Sequence, residues 1–91
     1  MSKELWRGIH KLQEEMGELA QVLGKIGPFP TGEHPDGERP LKERCEDEIA
    51  DVFAALGYFI VTNGLDYEKI TERRDEKTAK FIEWGLTGIK A

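Results

Sequence analysis

Apolar residues recur along the first third of the chain at Leu5, Ile9, Leu12, Met16, Leu19, Leu23 and Ile26. The steps alternate between four and three, which is the seam of an amphipathic helix. This pattern predicts a helix over residues 3–26, with Ser2 as its N-cap. Gly27-Pro28 ends it, because a proline disfavours helical geometry at the residue before it. A second stripe, Cys45, Ile49, Val52, Leu56 and Phe59, widened by Phe53 and Ile60, predicts a helix over 41–63. Pro40 or Leu41 opens it and Asn63-Gly64 closes it. Asp66 then caps a third helix over 66–84, with Tyr67, Ile70, Phe81, Ile82 and Trp84 as apolar anchors and Gly85 as the stop. No stretch alternates with the period of a strand.

The expected fold is therefore all-α: one domain over 1–91, an antiparallel bundle of three helices with a Pro/Gly-rich loop at 27–40. That loop holds all four prolines and is long for a helical hairpin. It reads either as a linker or as a functional loop. The length of 91 residues leaves a small core. Small residues line one side of the first two helices, at Gly17 and Gly24 and at Ala50, Ala54 and Gly57, which favours close helix approach. Completion by oligomerisation follows as an expectation, as a homodimer or a dimer of dimers.

Charge narrows the function. Lys and Arg number 13 against 18 Asp and Glu, a formal net charge of -5. That balance argues against a binder of nucleic acid polymers, which presents a basic face. No apolar run is long enough to span a membrane. The N-terminal residues include no apolar leader, so the expected location is cytoplasmic. The single cysteine, Cys45, excludes an internal disulfide and a multi-thiolate zinc site. Its place on an apolar stripe reads as packing.

The acidic residues gather in two places, Glu14-Glu15-Met16-Gly17-Glu18 and Glu46-Asp47-Glu48-Ile49-Ala50-Asp51. Each contains an acid-x-x-acid step, Glu15/Glu18 and Glu48/Asp51, and residues three apart are neighbours on a helix. At about 100° per residue, Glu15 and Glu18 lie roughly 70° and 130° from the centre of their stripe. Glu48 and Asp51 lie roughly 65° and 125° from theirs, on the same rotational side. Antiparallel packing brings equal offsets to one edge. Both pairs also stand roughly 10–12 Å from the loop end of their helices. Four converging carboxylates need either protons or cations between them. All-oxygen ligands suit hard ions such as Mg²⁺ or Mn²⁺. The alternative is a solvated acidic flank. On the third helix, Arg74 and Lys77 occupy the middle of a face whose ends are apolar. A lone buried cation is costly, so both are expected to meet helix carboxylates or a bound polyphosphate.

At these residues the chain resembles the MazG family of all-α nucleoside triphosphate pyrophosphohydrolases. The family is marked by Glu-Glu-x-x-Glu on one helix and Glu-x-x-Asp on the next, here Glu14-Glu15-Met16-Gly17-Glu18 and Glu48-Ile49-Ala50-Asp51. Leu12-Gln13, Leu19-Ala20 and Val52 match the flanking words, and the resemblance extends over residues 5–82. The segment between the motifs is at the long end for the family.

The resemblance implies Mg²⁺-dependent hydrolysis of a (d)NTP to the monophosphate and pyrophosphate, with Glu15, Glu18, Glu48 and Asp51 as metal ligands. It implies phosphate contacts from Arg74 and Lys77, and a water oriented or deprotonated by Glu14 or Glu15. Sites in the family often draw residues from a neighbouring subunit. Trp6 and Phe29 are the better candidates for stacking on a base, with packing as the alternative for each. Two rival readings are an enzyme similar to phosphoribosyl-ATP pyrophosphatase, and a non-catalytic acidic helical dimer that binds a protein partner.

Overall fold

A computed structural model describes residues 6–29 and 33–85 of the chain. They form three helices, α1 (Ile9–Ile26), α2 (Leu41–Thr62) and α3 (Tyr67–Glu83), and no strand among the described residues. Local chemistry sets most of the ends. The Asp66 carboxylate accepts the Lys69 N–H at 3.0 Å, satisfying one of the unpaired donors of the first turn of α3. Gly64 (φ 65) and Gly85 (φ 70) take the left-handed conformation just beyond α2 and α3. Pro40 stands immediately outside α2, which begins at Leu41.

The start of α1 differs from the expectation. The helix opens at Ile9, not near residue 3, because Gly8 has φ 83, a left-handed angle that no right-handed helix accommodates. Ser2 and Leu5 lie outside the described residues. Trp6 and Arg7 lie against the far end of α2. There the Arg7 N–H donates to Asn63 Oδ1 (3.0 Å), and Asn63 Nδ2 donates to the carbonyls of Arg7 and Phe59 (2.9 Å each). Trp6 stacks on Phe59 at 5.8 Å. Asn63 is thus a clasp as well as a helix end.

α1 and α2 pack on each other as a hairpin, and the paired residues run in opposite order along the two helices. Trp6 meets Phe59, Gly8 meets Tyr58, and Glu15 meets Glu48 and Asp51. Near the loop, Asp36 joins Lys25 to Arg44. The least exposed positions of α1 are Leu12, Glu15, Leu19, Val22, Lys25 and Ile26. The face turned to α2 is therefore rotated away from the centre of the expected seam. Val22 is buried, while Met16 and Leu23 are about half exposed. On α2 the shielded line runs through Leu41, Glu48, Val52, Ala55 and Phe59, leaving Ile49, Phe53 and Leu56 open.

Among the described residues, the close helix–helix packing is that of α1 on α2. α3 makes only sparse contact with the hairpin, and none of its residues is buried. Its anchors Tyr67, Ile70, Phe81 and Trp84 sit at its two ends with charged residues between, and all four remain exposed. The radius of gyration is 16.2 Å, against roughly 12 Å for a compact chain of this length. The extents are 47 × 34 × 16 Å. The shortest is little more than one helix diameter of about 10–12 Å. The arrangement is flat and elongated, with Val22, Leu41 and Ile60 as the buried apolar residues among those described.

Gly8 is the position where this arrangement tolerates no side chain. A Cβ there would lie 2.9 Å from the Tyr58 ring, in addition to the cost of the left-handed angle. Gly8→Ala is expected to lower unfolding stability in urea by about 1–2 kcal/mol from the backbone angle alone, and by more with the ring clash. In a Tyr58→Ala background the clash contribution should vanish and the backbone contribution remain. Equal losses in both backgrounds would show that Tyr58 does not press on Gly8.

Candidate metal centre

Glu15 lies on the α1 face that packs on α2, and Glu48 lies on the reciprocal face. One turn along α2, Asp51 adds a third carboxylate at the solvent edge. One oxygen from each of Glu15, Glu48 and Asp51 lies within 4.8 Å of the other two. Two oxygens on opposite sides of a shared Mg²⁺ are about 4.2 Å apart, twice a bond of about 2.1 Å. Three ligands cannot all stand opposite one another, and neighbouring oxygens of an octahedral Mg²⁺ are about 3.0 Å apart, so from separations of up to 4.8 Å the side chains would draw in by as much as about 1–2 Å to share one small cation.

The electrostatics point the same way. The Glu15 side chain is only 12% exposed. Loss of hydration raises its proton affinity first, then a hydrogen-bond contact with Glu18, and the charges of Glu18 and Asp51 add to this. Lys11 opposes the shift from 3.6 Å. Glu48 Oε1 is buried and has no hydrogen-bond partner. A buried carboxylate oxygen without a donor is expensive, and a cation or a proton is what would relieve it. The donor set is all oxygen, which selects hard divalent ions. Asp51 is exposed, so the centre opens to solvent on one side.

The other expected site residues fall in different places. Glu18 is exposed, touches Glu15 and lines the neighbouring cleft, outside the group of three. Glu14 points away from the seam and pairs with Lys11 at 2.6 Å. Arg74 is exposed and pairs with its own neighbour Asp75 at 3.0 Å. Lys77 lines a shallow hollow on α3 with Arg73 and Lys80. Neither cation approaches the carboxylates within this chain, because α3 stands off the hairpin. Trp6 stacks on Phe59 at one end of the hairpin, and Phe29 meets His34 edge-on at the other, 4.8 Å between centroids. Glu15 stands about 9 Å from the Ile9 end of α1 and about 16 Å from the Ile26 end, and the two rings lie beyond those opposite ends. A single chain does not bring both to one base.

Sequence reasoning passed over two features. Lys11 precedes Glu15 by one helical turn and is the cation at the centre; its i, i+4 spacing carried that signal. Asp36 fixes the loop across the hairpin mouth. It is held by Lys25 and Arg44 at 3.2 Å each and accepts the Glu38 N–H at 3.1 Å. These partners, the Glu38 N–H foremost, hold its carboxyl well below the usual carboxylate range. No local spacing announces that hub.

Comparison of the chain with protein-family models, with curated proteins and with solved structures gives no match.

The like charges around Glu15 set a two-way test. In metal-free protein, Asp51→Asn or Glu18→Gln should move the Glu15 titration midpoint down, and Lys11→Gln should move it up, by carboxyl carbon NMR. Because the folded-state value is raised, repulsion weakens the fold above that midpoint and is relieved as pH falls through it. Unmoved midpoints in all three variants would place Glu15 outside this charge cluster.

Proposed function

We propose that this chain is a divalent-cation-dependent nucleotide pyrophosphohydrolase, converting a (d)NTP to the monophosphate and pyrophosphate. The observation that carries the reading is the meeting of Glu15 with Glu48 and Asp51 from a second helix, one of them with an orphaned buried oxygen. These acids come from the two motifs that resemble the MazG family.

Glu15, Glu48 and Asp51 would hold Mg²⁺ or Mn²⁺, with Glu18 on the rim as a fourth carboxylate. A bound ion supplies charge compensation for phosphate oxygens and a lowered pKa for a coordinated water. Glu15 is the better placed of the two candidates to accept a proton, since it lies in the carboxylate group whereas Glu14 is turned outward onto Lys11. In the reaction a water oxygen bonds to phosphorus, the bridging phosphoanhydride bond breaks, and pyrophosphate leaves. The proton lost from water passes to a carboxylate such as that of Glu15.

The working protein in this reading is a cytoplasmic homo-oligomer in which a second copy supplies the missing layer of an antiparallel bundle. Ile49, Phe53 and Leu56 on α2, and Met16 and Leu23 on α1, are open apolar positions on a flat arrangement of helices. A neighbouring α3 would also be the means by which Arg74 and Lys77 reach phosphates, since their own α3 does not take them there.

The test has two parts. Mg²⁺ or Mn²⁺ should raise the melting temperature of the wild type and not of Glu48→Gln, which keeps the shape of the side chain and removes its charge. Phosphorus NMR of a panel of (d)NTPs and phosphoribosyl-ATP with enzyme and Mg²⁺ should show pyrophosphate and monophosphate. Glu48→Gln should lower the rate by about 100-fold or more. An intact panel at micromolar enzyme, with no metal-induced stabilisation, would favour a non-catalytic acidic dimer that binds a protein partner.

A further inference from the structure

Beside the carboxylates, between α1, the loop and α2, lies a cleft of about 330 Å³. Glu18 and Glu48 form its wall toward the metal centre, and Lys25, Arg39 and Arg44 also line it. Neither of the two cationic residues expected on α3 is among them. We propose that this cleft seats the phosphate chain of the ligand, with Lys25, Arg39 and Arg44 as its anion-binding side.

Three observations carry the assignment. First, two of these cations, one from each helix of the hairpin, already converge on an oxyanion of this chain. Asp36 Oδ2 lies 3.2 Å from both Lys25 Nζ and Arg44 Nη1. The spacing of the pair therefore suits one negatively charged group. Second, the carboxylate partners do not exhaust the donors. Arg44 uses Nη1 on Asp36 and Arg39 uses Nη2 on Asp47, while a guanidinium carries five N–H donors and an ammonium three. The Arg39 side chain is 59% exposed, so its remaining donors have access to solvent. Third, Glu48 belongs to both the cleft and the carboxylate group. A phosphate chain lying in the cleft would have the basic side chains and an edge of the cation site within one concavity.

The opposing wall sets a condition. Glu18, Glu38 and Glu48 would repel a bare polyphosphate, and a cation on the carboxylates removes part of that repulsion. Binding should therefore strengthen with Mg²⁺. Charge-assisted contacts to Arg and Lys favour phosphate oxygens, which both free pyrophosphate and a nucleotide offer. The proposal rests on the nucleotide reading only for which of these is the natural ligand.

The experiment is calorimetric titration of the full chain with inorganic pyrophosphate, with a (d)NTP panel under Ca²⁺, and with a nucleoside monophosphate, each also under chelator. Lys25→Gln and Arg39→Gln are the test variants, with Lys69→Gln on α3 as control. Arg39 and its partner Asp47 are both well exposed, so that variant preserves the fold and the Asp36 hub. Circular dichroism checks the fold of each. The expected result is pyrophosphate affinity about tenfold lower in each test variant and unchanged in the control. Tighter binding of a triphosphate than of pyrophosphate would identify the nucleotide as the natural ligand; the reverse order would identify free pyrophosphate. Folded Lys25→Gln and Arg39→Gln with wild-type affinity would overturn the proposal, as would a wild type that binds no pyrophosphate with or without Mg²⁺. Pyrophosphate binding that depends on Lys25 and Arg39, in a protein that leaves every nucleotide intact, would sustain the cleft and end the hydrolase reading.

Discussion

Two carboxylates sit on a helix-packing face, and the rest of the molecule is arranged around that cost. Glu15 and Glu48 occupy positions where a helical hairpin ordinarily places leucine. Glu15 responds by holding its proton more tightly, and Glu48 leaves one oxygen without a donor. Lys11 meets part of the charge from the exposed side of α1. The seam is still held at both ends, by Trp6, Gly8 and Asn63 against the end of α2 and by Asp36 across Lys25 and Arg44 at the mouth. Polar and close-packed clasps thus bracket a centre that does not stabilise itself.

The second constraint is thickness. A layer 16 Å deep cannot bury both sides of two amphipathic helices. The apolar positions on α1 and α2 exceed what one neighbour covers, and Phe53 remains 71% exposed. α3 shows the same deficit, with aromatic residues at both ends and charge in the middle. An arrangement in which a second copy covers these surfaces would account for both.

Much of the secondary structure was legible because its signals are local. Asp66, Asn63-Gly64 and Gly85 act within a few residues of themselves, and α2 and α3 begin or end where that chemistry places them. The meeting of Glu15 with Glu48 and Asp51 was legible because rotational offset and axial level are both set by helix geometry. The start of α1 was not, because Gly8 takes its left-handed angle beneath Tyr58 and beside Asn63, fifty or more positions away. Val22 was missed for a related reason. Its stripe is wide, and periodicity alone cannot say which side of a wide stripe meets the first neighbour. Asp36 depends on the path of a Pro-rich loop, and the placement of α3 depends on what its apolar ends find to pack against. Neither quantity is written in spacing.

In the proposed reading a divalent cation completes the seam. A crystal structure grown with Mn²⁺ and phased to reveal the anomalous signal of manganese tests it most directly. The account predicts a manganese peak bonded to oxygens of Glu15, Glu48 and Asp51 at about 2.1–2.2 Å, with Glu48 Oε1 now partnered. Manganese bound elsewhere, or its absence while the three carboxylates remain protonated or paired with lysine, would contradict it.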